Sequence, residues 1–259
     1  MRLDRALLAD TRTALRSPFI VAFLLLEAGA GALFVARRGE GAADTVVLIW
    51  LGMLFTAFLA WWAGRHRLAR PQPDPVTGAP GRSLFALLGA SGMLLVGFGI
   101  NATLGVVLVL GGIGGWAYVA LRTGGFGGLL ERLTRDPRPF IPLLLLLALP
   151  RLLFGGPLAF VGVVLALPSG IGQQLLYLLG LFSPLEALRG RTDMAAVTAA
   201  LVFGAVHVPL NVPANGGDVL AALANAVLFQ SSVGLIACLA VARHRAVLPL
   251  GVAHALAIG

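Results

Sequence analysis

The run PFIVAFLLLEAGAGALFVA, residues 18–36, holds one ionisable side chain, Glu27, and TVVLIWLGMLFTAFLAWWAG, residues 45–64, holds none. A helix needs about 20 apolar residues to cross the hydrocarbon core of a bilayer. Both runs reach that length, and they decide the fold class: an all-α, polytopic transmembrane bundle. Outward from them the pattern repeats. Apolar runs cover Ser83–Asn101, Leu104–Leu121, Phe140–Phe154 (interrupted at Pro150 and Arg151), Pro157–Leu167, Ile171–Leu188, Met194–Leu210, Asp218–Ala242 and Ala246 to the end. Pro168-Ser169-Gly170 reads as a break. The count is about eight spans, eight or nine depending on how residues 140–188 are divided.

The totals agree. Of 259 residues 58% are hydrophobic and 12% charged, and the mean hydropathy is +0.93. A soluble domain of this size needs a far more polar surface. The chain therefore reads as a single membrane domain, residues 18–259, preceded by an amphipathic interfacial helix, residues 1–17. That first segment carries Asp4 and Asp10 and leads into a long apolar run without a clear cleavage site, which argues for a retained first span rather than a signal peptide.

The net charge of +8 comes from 19 Arg and no Lys. These Arg flank apolar spans, so they report membrane orientation and not nucleic-acid binding. With the amino terminus in the cytoplasm and Phe140–Leu167 making one net crossing, sixteen of the 19 Arg fall on the inner side. Arg37, Arg38 and Arg151 do not. No internal repeat of the transporter kind is visible. Gly111 and Gly115 form a GxxxG pair suited to close helix contact. Gly124, Gly125, Gly127 and Gly128 read as a flexible helix end, since no Walker-type Lys-Ser/Thr follows. Cys238, the only cysteine, offers no intramolecular disulfide.

Polar groups inside spans are costly, so chemistry is sought there. The candidates are Glu27, Arg151, Gln173, Gln174, His207, Asn225, Gln230, Ser231, Ser232 and His254. His66 and His244, flanked by Arg, read as solvated loop residues. His207 and His254 each lie in an apolar helix. Phe203 and His207 are four apart and share a helix face. Two imidazoles can bind a metal or donate to an oxyanion. Gln173 can reach Tyr177 one turn on, and Gln230, Ser231 and Ser232 either join helices or line the same cavity.

Three segments carry a resemblance. Gly172-Gln173-Gln174-Leu175-Leu176-Tyr177-Leu178 resembles the Glu-Glu-x-x-x-Arg motif of the CAAX protease and bacteriocin-processing (CPBP) family of intramembrane endopeptidases. Leu201–Val208, with Phe203 and His207, is similar to its Phe-x-x-x-His motif. Leu248–Ile258, with Pro249 and His254, is similar to its third, His-x-x-x-Asn. Order and spacing fit over residues 170–259. The resemblance implies a bundle of about eight helices with an intramembrane polar site. In it a motif-one Glu activates water, and two His with an Asn bind metal or stabilise an oxyanion. It also implies membrane-embedded, prenylated or leader peptides as partners, beside the lipid bilayer itself.

The departures from the motifs shape the expectation. Gln173 and Gln174 stand at the Glu positions, Leu178 at the Arg and Ile258 at the Asn. A neutral amide cannot act as a general base. Loss of the Glu and Arg together is physically coherent, because losing one alone strands a charge in a poor dielectric. Gln173, Gln174, His207 and His254 are thus the catalytic family positions, with His207 and His254 as ligands for a divalent metal such as zinc. Without a carboxylate that zinc site is weakened. Three functions stay open. One is a pseudoenzyme, with proteolysis lost or reduced, that binds peptide or lipidated protein. The second is a metal-dependent protease with a different base. The third is an unrelated transporter or assembly subunit. The expected location is a bacterial inner membrane.

Overall fold

The computed structural model describes residues 11–64, 78–123, 140–141, 144–145, 148, 156–244 and 246–258. Among these the secondary structure is helical, without strands. The elements are α1 (Pro18–Arg38), α2 (Ala42–Gly64), α3 (Ala79–Gly97), α4 (Ala102–Arg122), α5 (Gly156–Gln174), α6 (Ser183–Arg189), α7 (Thr192–Ala214), α8 (Val219–Asn225), α9 (Ser232–His244) and α10 (Leu248–Ile258). A π-helical segment, Leu175–Phe182, joins α5 to α6, and a second, Ala226–Ser231, joins α8 to α9. Among the described residues seven helical stretches are long and apolar enough to cross a membrane. The all-α polytopic class therefore holds. The expected helix at residues 1–17 falls mostly outside the described residues; residues 11–15 are helical.

Side chains are distributed as lipid demands. Leu25, Leu48, Leu54, Leu110, Leu165 and Leu210 are each more than 60% exposed. The buried interior is instead rich in small and polar groups, including Ala195, Ala196, Ala199, Ala200, Cys238, Gln174, Ser231 and Asn211. Lipid tails are as apolar as leucine, so burying leucine gains little; close packing and hydrogen bonds join the helices instead.

Helix α7 is the central one. It packs against α1, α3, α6, α8, α9 and both π-helical segments. Helix α1 is tied to the start of α7 at one end and to α8 at the other. Ser17 caps α1 by accepting from the Ile20 N–H at 3.2 Å and donates its own proton to Asp193 at 2.6 Å. Arg37 meets Asp218, the N-cap of α8, at 2.7 Å. Exposed pairs of this kind fix register more than they stabilise.

Three sequence expectations need correction. Pro168-Ser169-Gly170 is not a break: the helix runs from Gly156 through Pro168 and continues by the π-helical segment to Arg189. In a membrane bundle neighbouring helices satisfy what proline frees, so Pro168 sits inside the helix without ending it. His244 is not a solvated loop residue. It ends α9, is 2% exposed, and meets the Phe140 ring edge-on at 5.1 Å. The GxxxG reading is also shifted. Gly111 faces open space, while Gly112 and Gly105 make the close contact. A Cβ on Gly112 would sit 2.6 Å from the Gly89 nitrogen, and one on Gly105 2.8 Å from the Gly92 oxygen. Gly115 lies under Phe85. His66, Arg151 and Gly124–Gly128 lie outside the described residues.

This packing makes a prediction. Gly112→Leu should force α3 and α4 apart and lower the melting temperature of the detergent-solubilised protein, since overpacking of a tight contact costs roughly 1–3 kcal/mol or more. Gly111→Leu, its neighbour, should melt like the wild type. Equal melting of the two variants would remove the glycine contact from the account.

Candidate active site inside the bundle

Two glycines set the site. Gly170 of α5 and Gly251 of α10 bring these backbones together: a Cβ on Gly170 would stand 2.6 Å from the Ala255 nitrogen, and one on Gly251 2.9 Å from the Ile171 Cα. One turn beyond each contact lie Gln174 and His254. Their side chains meet there, Gln174 Nε2 to His254 Nδ1 at 3.0 Å.

The second imidazole comes from α7. His207 Nδ1 lies 2.6 Å from the carbonyl oxygen of Phe203, one turn earlier on the same helix. Phe203 is the hub of the cluster. Its ring centre lies 4.6 Å from that of His207, 5.7 Å from that of His254 and 4.7 Å from that of Tyr177. Both histidines therefore pack on one phenyl ring, although 47 positions separate them in the chain.

Gln173 completes the group. It lines a cavity of about 50 Å³ with His207, Tyr177, Phe203 and residues of α3 such as Met93. That volume admits only a few water-sized groups. Its Nε2 donates to Ser169 Oγ at 3.0 Å, one turn back rather than forward to Tyr177. Its Oε1 is buried with no hydrogen-bond partner, and so is Oε1 of Gln174. A buried amide oxygen left unpaired costs roughly 1–3 kcal/mol. The site thus holds two acceptors without donors.

A second cavity, of about 340 Å³, adjoins the first and shares Met93 and Val206 with it. Val96, Val106, Val109, Leu110, Pro209 and Leu210 also line it, without a polar side chain among them. Leu110 and Leu210 are at the lipid-facing surface, 64% and 67% exposed. Sequence reading missed the contribution of α3 to both cavities, because Ala86, Ala90 and Met93 look like any apolar span.

The remaining candidates stand elsewhere. Asn211 and Gln230 form a reciprocal amide pair at 3.1 and 3.4 Å, which joins α7 to the second π-helical segment. Ser232 bonds to the Val227 carbonyl at 3.4 Å. Ser231 Oγ is buried without a hydrogen-bond partner, against the backbone at Gly204. Glu186 is 1% exposed and accepts from Thr192 Oγ1 at 2.6 Å. Neither Glu186 nor Glu27 lines the cavity of His207. Helix α7, which bears His207, packs against both π-helical segments, a feature often found at functional sites.

A catalytic zinc takes three protein ligands and a water. Among the described residues no group of three or more His, Cys, Asp or Glu is placed to hold a metal ion. Two imidazoles with two amides fall short of that donor set, so no chemical step is drawn through a metal.

A membrane-helix bundle that holds two imidazoles and two amides around one aromatic ring belongs to the class of proteins with an intramembrane polar site. Comparison by sequence narrows this class. Residues 155–257 match the model of the family described as type II CAAX prenyl endopeptidase Rce1-like. The match covers the first two motif-like segments, the third up to residue 257, all four clustered residues and the whole of α5–α9, in agreement with the resemblance read from the motifs. No curated protein and no solved structure matches the chain.

Proposed function

We propose that this membrane protein resembles CAAX-type intramembrane endopeptidases in fold and site but has lost most or all of its proteolysis, and binds peptide or lipidated protein within the bilayer. The observation that carries the reading is chemical. The positions where a carboxylate would activate water are occupied by Gln173 and Gln174, clustered with His207 and His254. An amide has no basic lone pair at working pH, and a positioned general base contributes about 10²–10⁴ in rate.

The neighbouring apolar cavity supports the binding half of the reading. Its lipid-facing wall suits an apolar side chain or a prenyl group, and its shared wall at Met93 and Val206 leads to the polar cluster. The Arg asymmetry supports a cytoplasmic amino terminus, and a bacterial inner membrane is the location proposed with it.

The test is binding without turnover. Purified protein in nanodiscs should bind a fluorescent farnesylated peptide and release it intact. Val206→Trp, which fills the shared wall, should weaken binding about tenfold or more, equivalent to about 1.4 kcal/mol. No binding of the farnesylated peptide, or binding indifferent to Val206→Trp, would sink this assignment.

One observation favours a second reading. With Nδ1 of His207 held by the Phe203 carbonyl, the other ring nitrogen is an acceptor. A hydrolase using His207 as base would cleave the same peptide and lose all cleavage on His207→Ala.

A further inference from the structure

We propose that Gln174 holds His254 in the tautomer opposite to that of His207, so that the pair offers one acceptor and one donor to a neutral peptide amide rather than two lone pairs to a cation. The choice of a peptide as ligand rests on the function proposed above; the opposite tautomers do not.

Start with His207. Its Nδ1 faces a backbone carbonyl oxygen at 2.6 Å. A carbonyl only accepts, so the neutral ring carries its proton on Nδ1 and presents a bare lone pair at Nε2. His254 is held the other way. Its Nδ1 faces the amide nitrogen of Gln174 at 3.0 Å. An amide N–H₂ only donates, so Nδ1 accepts and the ring proton sits on Nε2.

The assignment depends on which way the Gln174 amide points, and burial decides that. Gln174 is 1% exposed, and its Oε1 has no hydrogen-bond partner. Turning the amide over would place the two N–H donors where Oε1 now stands without a partner. Stranding buried donors is rarer in proteins than under-satisfying a carbonyl, which can still take a ligand's proton. The orientation with Nε2 on His254 strands less.

The consequence follows from the one-atom difference between glutamine and glutamate. A carboxylate at position 174 only accepts. It would draw the His254 proton to Nδ1 and leave Nε2 bare. Both rings would then offer lone pairs with a negative charge beside them, the donor set that a divalent cation takes. Gln174 removes the charge and reverses one ring. What is left is a donor on His254, an acceptor on His207, and two amide oxygens in need of donors, Oε1 of Gln173 and of Gln174. A peptide amide, with one N–H and one C=O, serves the His254 donor and one of the three acceptors at once, which a ligand without an N–H cannot do. A carboxylate cannot, since a single N–H donor faces three acceptors. Gln174 is therefore the residue that specifies ligand class, acting through His254.

The measurement is ¹⁵N NMR of full-length protein labelled at histidine, in nanodiscs at pH 8, above the ordinary histidine range. His207 and His254 are assigned by loss of their signals in His207→Gln and His254→Gln. Wild type is expected to show Nδ1–H at His207 and Nε2–H at His254, and Gln174→Glu to move the His254 proton to Nδ1. Zinc titration gives an independent reading: Gln174→Glu should gain a stoichiometric zinc site at least about tenfold tighter than any in the wild type. Nδ1–H at His254 in the wild type overturns the proposal, whether or not the variant folds. So does a wild-type zinc site as tight as that of Gln174→Glu and lost on His254→Gln. Opposite tautomers in a protein that binds no farnesylated peptide would sink the binding function alone and leave the tautomer assignment standing.

Discussion

Leu178→Arg alone is expected to unfold the protein in detergent, and Gln174→Glu introduced with it to recover a large part of the loss. Leu178 is 0% exposed and packs in the main core with Phe182, Ala196 and Phe203. A guanidinium placed there finds no carboxylate at position 174, because Gln174, four residues earlier across the start of the π-helical segment, is an amide. An uncompensated buried charge costs about 3–5 kcal/mol, a large share of the total stability of an ordinary domain, about 5–15 kcal/mol. The double variant supplies the counter-charge one turn away. The measurement is the melting temperature and the monodisperse fraction on size exclusion for the single and double variants. A single variant as stable as the wild type would contradict the burial of Leu178. A double variant no better than the single would mean that positions 174 and 178 do not face one another. The expected recovery also explains why Gln174 and Leu178 occur together: either change alone is penalised, and the pair of changes is not.

The fold class was legible because lipid imposes it. Runs of apolar residues such as 18–36 and 45–64 have no other stable home, and those runs reappear as α1 and α2. Boundaries were less legible where proline and glycine act through neighbours. Gly170 reads as a terminator by itself; beside Ala255 it is the contact that lets α10 approach α5. The sequence cannot show that partner, so it cannot tell a break from a contact. His244 misled for a related reason. Its flanking Arg suggested solvent, yet Phe140, more than a hundred positions away, covers it.

The cluster itself was legible as residue types and not as geometry. Gln173, Gln174, His207 and His254 stood out because polar groups in apolar helices are costly. Nothing in the chain indicated that Gln174 would bond His254 while Gln173 turned back to Ser169. The role of Phe203 was half visible, as the residue one turn before His207; its contact with His254 needed the fold.

The second large effect concerns chemistry. Gln173→Glu/Gln174→Glu/Leu178→Arg is expected to cleave a farnesylated peptide that the wild type binds and leaves intact, with metal content assayed in both. The variant restores a base to the cavity at position 173 and a paired carboxylate at 174. The gain should be about 10²–10⁴ over the wild-type background, the usual contribution of a positioned base. His207→Ala in the same background should abolish it, since His207 lines the cavity with Gln173. Cleavage by the wild type that disappears on His207→Ala would end the non-catalytic reading, and the base would be sought first at His207 itself. A folded triple variant that binds the peptide and does not cleave it would move the lesion to the third motif. There Ile258 ends α10 where the resemblance calls for an amide side chain, and Ile258→Asn added to the triple variant is the change that should then release turnover.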